Sequence, residues 1–401
     1  MNKYLQNMEK TPLMDIAIII IAYKRIDTFD ILLKSLLSAD YGGEKVDLVF
    51  SIDYSGNEDV LAYAERFIWP FGNKIIRYFN ERQGLKKHIL SCGEYFSIYD
   101  ALIILEDDLI VGNNFFSFAK QAAVFYRNDD KIAGISLYSH SFNVNAGMPF
   151  QPALSGSDVY FMSFAQSWGQ VWLKKTWSIF LEWIKNFDGN YDENTPSFVN
   201  NWPQNSSWLK LHIKFCQDTN RFFVYPYESF TSIISQSGEH GDNMDLFLHR
   251  PVCRYSTPRK YLFDPFSLAK VKYDVFFERI IDYSGEICVD LYSQKKIRNL
   301  SCRFLLTTRT LNQKIIGSFS LKMLPHEENF FFDIPGKDIF LYEIDSQKPI
   351  IVKSSQQNLN RFFFYFPISY KGNWKFVSNS INALKMEKFR NKLKHFFLKE
   401  K

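Results

Sequence analysis

Between Ile16 and Asp108 the chain alternates four short apolar runs with stretches of helical periodicity, and that alternation leaves few architectures open. The runs are "IAIIIIAY" (16–23), "KVDLVFSIDYSG" (45–56), "KIIRYFN" (74–80) and "ALIILEDD" (101–108). Each is short, rich in β-branched residues and closed by polar or turn residues, as a fully buried strand is. Between the first two, "TFDILLKSLLSA" repeats Phe29, Leu32, Leu33, Leu36 and Leu37 at helical spacing. Further helices are predicted over Glu58–Phe67 and Gly84–Tyr99. Strands that alternate with helices build βαβ units, hence an α/β, Rossmann-like, mostly parallel sheet with helices on both faces.

Beyond about Tyr255 the pattern changes to short aromatic or alternating runs: "EICVDLYSQ", "RFLLTTRTL", "IGSFSLKML", "NFFFDIPGKDIFLYEI" and "RFFFYFPI". These predict a smaller β-rich domain over 263–378, after a first domain over 1–262. Residues 379–401 read as an amphipathic helix with Met386, Phe389, Leu393, Phe396 and Phe397 on one face. The net charge of the 401-residue chain is only +5, and 385–401 carries seven basic against two acidic residues, so the tail supplies the whole excess. A charge this mild does not argue for nucleic acid, and no nucleic-acid partner is expected. The five cysteines are scattered, with no C-x-x-C, which predicts a reducing compartment rather than disulfides or structural zinc. No run reaches the ~18–20 apolar residues of a membrane span, and no cleavage site follows Ile16–Tyr23, so a cytoplasmic location is expected.

In open parallel sheets ligands bind at the carboxyl ends of the strands. Three such ends carry notable groups: Arg25 in "AYKR", Asp53 in "SIDYSG", and Glu106, Asp107 and Asp108 behind the fourth strand. Taken singly, a surface arginine, a turn aspartate and a solvated acidic turn explain them. Three carboxylates in succession repel one another, and burying one unpaired costs several kcal/mol. Together at one sheet edge they suit a divalent cation with a nucleoside diphosphate. Mg²⁺ or Mn²⁺ takes hard oxygen ligands, and Mg²⁺ is held by one or two carboxylates plus substrate phosphates. A guanidinium can grip a phosphate in bidentate fashion.

The segments "IAYKRIDTFDILLKSLL", "SIDYSGNED", "LIILEDDLIVGNNFF", "AGISLYS", "SWGQVWLKKTW" and "SGEHGDN" follow one another from Ile16 to Asn243 in a familiar order. In them the chain resembles the nucleotide-sugar-dependent GT-A glycosyltransferases, in particular N-acetylglucosaminyltransferase I and its bacterial relatives. The resemblance implies a GT-A fold and transfer of a sugar, with inversion, from a nucleoside-diphosphate donor, expected to be a UDP-sugar. It implies Asp108 as the ligand of Mn²⁺ or Mg²⁺. The donor-binding set it implies is Ala22, Tyr23, Arg25, Asp53, Glu106, Asp107 and His240, with a lid around Glu239–Asn243. Glycines at both ends of "SGEHGDN" suit a hinged lid, or equally an ordinary connection. Trp168 is the candidate for stacking on the acceptor, while two of the three tryptophans in "SWGQVWLKKTW" are expected in the core.

The pattern breaks at the general base, which in that family is an aspartate after a tryptophan. Here Trp208 is followed by Leu209 and Lys210, and the nearby carboxylates are Asp188, Asp192, Glu193 and Glu239. Of these, Asp192, Glu193 and Glu239 stand as candidate bases. The catalytic residue is therefore unknown from sequence. The expected function is glycosyl transfer to a hydroxyl of a glycan acceptor, lipid-linked in one form of the reading, in bacterial capsule, lipopolysaccharide or related polysaccharide synthesis. The basic tail would rest on the anionic inner-leaflet surface, or else dock on its own protein. Two rivals stand beside it: an inactive carbohydrate- or nucleotide-binding member of a glycan assembly, and a sugar nucleotidyltransferase. The last would need a Gly-rich loop after its first strand, and "AYKRIDTFD" has no glycine.

Overall fold

The computed structural model describes residues 14–234, 248–255, 259–281, 285–297 and 300–354. The first run forms β1 (Ile16–Ala22), buried along its whole length. It leads into α1 (Ile26–Leu37), which turns Phe29, Leu32, Leu33 and Leu36 inward. β2 (Asp47–Ile52), α2 (Asp59–Arg66), β3 (Lys74–Tyr78) and α3 (Leu85–Ser91) repeat the unit. The helix predicted to run to Tyr99 tightens into a 3-10 segment at Cys92–Ser97. Packing accounts for the change: a Cβ at Gly93 would lie 2.0 Å from Trp177 Nε1, so the backbone there is pressed against the indole. β4 (Ala101–Glu106) follows, then β5 (Leu109–Val111), α4 (Phe115–Tyr126) and β6 (Ile132–Ser136).

A hairpin of β7 (Phe142–Asn143) and β8 (Met148–Pro149) precedes β9 (Val159–Met162) and β10 (Gln170–Leu173). Then come α5 (Lys174–Asn186), the single turn α6 (Ser197–Asn200), α7 (Trp208–Asp218), β11 (Phe222–Pro226), β12 (Thr231–Ile233) and β13 (Lys272–Tyr273). Nine of these strands form one sheet in the order β13-β9-β11-β6-β10-β4-β1-β2-β3. Pairing is parallel from β4 through β1 and β2 to β3, between β6 and β11, and between β9 and β13. β10 runs antiparallel between β4 and β6, and β9 antiparallel to β11. The α/β class expected from the alternation is what the chain adopts. The large sheet takes its last strand from beyond residue 262.

Alternate residues of each strand go to opposite faces. On one face Ile18, Phe50 and Ile103 pack with Phe29, Val60, Ala64 and Phe118 from α1, α2 and α4. On the other Ile19, Val49 and Ile104 meet Ile89, Trp177, Phe180 and Trp208 from α3, α5 and α7. With both faces covered, the strands read as continuous apolar runs rather than alternating ones.

A second sheet follows. Its strands are β14 (Ile287–Asp290) and β15 (Phe304–Thr307), then β17 (Lys314–Phe319) and β18 (Ile339–Glu343), in the order β14-β15-β18-β17; β16 (Thr310–Leu311) pairs separately with β19 (Val352–Ser354). Most of the β-rich runs predicted up to Ser354 are strands, but "NFFF" is helical, as α8 (Glu328–Phe331). The Asn329 amide decides this: it accepts from the N–H groups of Lys322 and Met323 and donates to the carbonyls of Met323 and His326, which fastens a compact turn. "RFFFYFPI" and the tail helix lie outside the described residues. No helix among the described residues is long and apolar enough to cross a membrane.

Candidate functional site

β1 continues to β2 and β3 on one side, whereas β4 lies on its other side. The chain thus reverses direction across the sheet between β1 and β4, and connections leaving their carboxyl ends diverge. Such a switch point opens a crevice where α/β sheets bind ligands. Tyr23 and Arg25 leave β1 at this place, and Glu106, Asp107 and Asp108 leave β4.

Hydrogen bonds lock the two strand ends together. The Asp107 N–H donates to the Ile21 carbonyl at 3.0 Å, and Asp107 Oδ2 accepts from the Tyr23 N–H at 3.2 Å. Arg25, in extended conformation just ahead of α1, forks across the acidic pair. Its Nη1 donates to Asp108 Oδ2 at 2.8 Å and its Nη2 to Asp107 Oδ1. The Asp107 side chain is 4% exposed, while those of Arg25 and Asp108 keep 28% and 26%. Burial pushes the Asp107 carboxyl up to about 6 despite the guanidinium beside it. Burial alone would lower the Arg25 pKa, but the two aspartates outweigh it and hold it raised. Burial, then the Asp108 and Asp107 charges, push the Glu106 carboxyl upward as well. Of the sequence-derived donor residues, the structure therefore joins Tyr23, Arg25 and Asp107 by direct contact, together with the metal candidate Asp108. Ala22 and Glu106 are the last residues of the strands that bring them there.

The donor set here is hard oxygen, with Asp108 reaching the surface and the Glu106 carboxylate free of hydrogen-bond partners among the described residues. That chemistry fits Mg²⁺ or Mn²⁺. No group of three or more His, Cys, Asp or Glu among the described residues closes round an ion, so an ion here would share its coordination with a ligand's phosphates.

Asp53 stands at the same edge, one strand over, but its carboxylate is engaged. Oδ1 accepts from the N–H groups of Tyr54 at 2.9 Å and Gln83 at 2.7 Å, and Oδ2 from that of Gly84 at 3.0 Å. With 4% exposure it ties the loop before α3 to the end of β2. Two residues earlier Ser51 Oγ accepts from Arg77 Nη2 at 2.7 Å and sits 2.7 Å from His88 Nε2. Sequence reading missed this Ser51–Arg77–His88 group, because its members are 26 and 37 residues from Ser51 and belong to no local motif.

Trp168 is half-buried, whereas Trp172 and Trp177 stack at 3.9 Å in the core, as two of the three were expected to. Gly169 has φ +90°, and a Cβ on it would lie 2.7 Å from Thr231 Cγ2. Only glycine fits, and the turn it permits sets Trp168 edge-on to Tyr138 at 4.8 Å. Thr231 Oγ1 donates to the Trp168 carbonyl at 2.5 Å, which fastens the turn to β12. β12 in turn pairs antiparallel with β5, and the Ile234 N–H donates to the Asp108 carbonyl at 2.8 Å. The acceptor candidate and the metal candidate thus hang on β12 and the residue that follows it.

The candidate bases are occupied or outside view. Glu193 pairs with Lys296 at 2.6 Å, and Asp192 lies 3.6 Å from Lys214. Glu193 lines a cavity of about 290 Å³ together with Asp274 and Lys295. Trp208 opens α7 as a core residue, and Lys210 Nζ donates to the carbonyls of Asn200 and Trp202. Glu239, His240 and the loop to Asn243 lie outside the described residues.

No protein-family model and no curated protein sequence matches the chain. Partial likenesses to solved structures exist. One is a mannosyltransferase from Pyrobaculum calidifontis in complex with GDP-Man and Mn²⁺, with 13% identity over 43% of this chain and 47% of that one, TM-score 0.31. Another is S. aureus TarS 1–349 in complex with UDP-GlcNAc, with 13% identity over 57% and 60%, TM-score 0.39. A third is GalNAc-T7 with UDP, GalNAc and Mn²⁺, with 13% identity over 56% and 44%, TM-score 0.38. The chain spans between two fifths and three fifths of these proteins. At such identity and superposition the likeness assigns neither substrate nor activity.

Proposed function

We propose that this chain is a metal-dependent, inverting glycosyltransferase of the GT-A type, related to N-acetylglucosaminyltransferase I. It would move a sugar from a nucleoside diphosphate, a UDP-sugar by preference, to a hydroxyl of a glycan acceptor. The observation that carries this reading is the meeting of Tyr23, Arg25, Asp107 and Asp108 at the switch point between β1 and β4. In it Asp108 holds Mn²⁺ or Mg²⁺, which when bound supplies Lewis-acid stabilisation of the leaving diphosphate. Arg25 turns its fork from the aspartates to the diphosphate, Glu106 and Asp107 hold donor hydroxyls, and Asp53 and the backbone it fixes border the base. Trp168 borders the acceptor. The reading divides the chain into a catalytic domain over 1–262, an accessory domain over 263–378 and a tail over 379–401. It places the protein in the cytoplasm at the inner leaflet, in bacterial surface-polysaccharide synthesis.

Calorimetric titration of UDP, GDP and CMP, with and without Mn²⁺, on wild type and Asp108→Ala tests the donor site. Metal-dependent binding of one nucleotide, lost in the variant, is expected; no binding by the folded protein overturns the reading. The tail is tested by pelleting with anionic vesicles after deletion of 380–401, where unchanged partitioning removes the membrane contact.

The engagement of Asp192 and Glu193 with lysines favours a second reading, a binding protein without turnover. Tight donor binding with neither transfer nor donor hydrolysis would establish it.

A further inference from the structure

Among the described residues Arg250 is a half-buried cation without a counter-ion. Its backbone N–H donates to Ser232 Oγ at 2.8 Å, so it too is fastened to β12, between the attachments of Trp168 at Thr231 and of Asp108 at Ile234. Its Nε is buried without a hydrogen-bond partner, and no carboxylate among the described residues pairs with its guanidinium. Arg25, Arg259 and Arg309 each have one. Two residues before Arg250, the Leu248 carbonyl accepts from the Tyr138 hydroxyl at 2.8 Å. Tyr138 and His140 are the rings that pack on Trp168, at 4.8 and 6.3 Å. A partly desolvated guanidinium left unpaired is costly, and its planar fork matches phosphate and carboxylate.

Resting on the glycosyltransferase reading, we infer that Arg250 receives an oxyanion carried by the acceptor sugar, a phosphate or a carboxylate, while the sugar ring lies against Trp168. The acceptor is then an acidic glycan rather than a neutral one. Arg25 already stands at the β1 end for the donor diphosphate, and the aromatic cluster tied to the chain two residues before Arg250 is the one that packs on Trp168.

The test uses the full chain as wild type, Arg250→Gln and Arg250→Lys. UDP–Mn²⁺ affinity is measured first; its absence in wild type sinks the donor reading by itself, and the sugar titrations still decide Arg250. Glucose 1-phosphate, glucuronate and glucose are then titrated with UDP–Mn²⁺ in excess. At least one charged sugar is expected to bind about tenfold or more tighter than glucose, as one charge-assisted fork requires. Whichever binds identifies the oxyanion as phosphate or carboxylate. Arg250→Gln should erase the preference with UDP affinity unchanged, and Arg250→Lys should keep part of it. Equal binding of charged and neutral sugars, or a preference that survives Arg250→Gln, overturns the inference. So does a loss in Arg250→Gln that falls on UDP rather than on the sugar, which would give Arg250 to the donor. If the glutamine variant fails to fold, a lysine variant with no preference left overturns it as well.

Discussion

Arg25 and Asp108 are joined at 2.8 Å across the switch point of the sheet, and the same guanidinium also holds the far more buried Asp107. One side chain therefore pairs with two of three adjacent carboxylates. Removing one partner of a fully buried pair costs about 3–5 kcal/mol, and the 28% exposure of Arg25 places this case lower, at about 2–3 kcal/mol. Arg25→Ala should lose that much stability in chemical denaturation and weaken UDP–Mn²⁺ by about tenfold. Arg25→Lys should recover part of the stability and little of the affinity, since lysine lacks the fork. An alanine variant as stable as wild type would remove Arg25 from its role as internal counter-ion.

Asp53 presents a different case, since its lone pairs go to three backbone N–H groups. Hydrogen bonds to a charged acceptor are worth about 1.5–3 kcal/mol each, and they do not add fully when they share one carboxylate. Asp53→Ala should destabilise the fold by about 2–4 kcal/mol and loosen the loop at Gln83 and Gly84, read as faster amide exchange there. Asp53→Asn, which keeps one acceptor oxygen, should fall between. Wild-type exchange at both amides in the alanine variant would count against this account.

These two aspartates show what the sequence could disclose. The α/β alternation and the position of the acidic triplet were legible because strand and helix periodicity is local and strand ends fix a sheet edge. What each carboxylate touches was not legible. Asp53 meets N–H groups about 30 residues away, and Arg25 meets Asp107 and Asp108 more than 80 away, and no spacing rule spans such loops. Arg250 gave no signal at all. It stands in "HRPVCR" like any surface arginine, and only the lack of a partner for its guanidinium among the described residues sets it apart. "NFFF" reads as a strand by composition, yet the Asn329 amide folds it into a turn.

Gly169 and Thr231 form the joint that carries Trp168. Alanine at 169 meets both the left-handed strain of φ +90° and a Cβ–Cγ2 approach of 2.7 Å. Strain of this kind costs about 1–3 kcal/mol and overpacking about as much again, so Gly169→Ala should lose about 2–5 kcal/mol. Thr231→Ser removes the clashing methyl but not the strain. The double variant should therefore recover about 1 kcal/mol relative to additivity, measured in a denaturation cycle. Full additivity would mean that the methyl does not limit position 169.

Three buried histidines each contribute acid sensitivity. Burial lowers His88 to about 4, and His140 and His212 to about 3, against an ordinary value of about 6.5 in the unfolded chain. Above pH 6.5 neither state binds a proton at these sites, so their neutral burial costs nothing in linkage. As pH falls below that value the unfolded chain takes up protons that the folded chain refuses, and stability is lost until the folded groups titrate near 3–4. Asp107, raised to about 6, acts with the opposite sign, as do Glu106, Glu278, Asp290 and Glu327, whose carboxyls burial also pushes up, so the whole-protein profile mixes the two and a single-site comparison is needed. His212 suits it: the ring stacks on Phe180 at 4.5 Å and stands edge-on to Phe223 at 5.0 Å, so phenylalanine can take its place. Between pH 7.5 and 5.0 wild type should lose about 2 kcal/mol more than His212→Phe in urea denaturation. Parallel profiles for the two proteins would mean that His212 is protonated equally in both states, and would assign the acid sensitivity elsewhere.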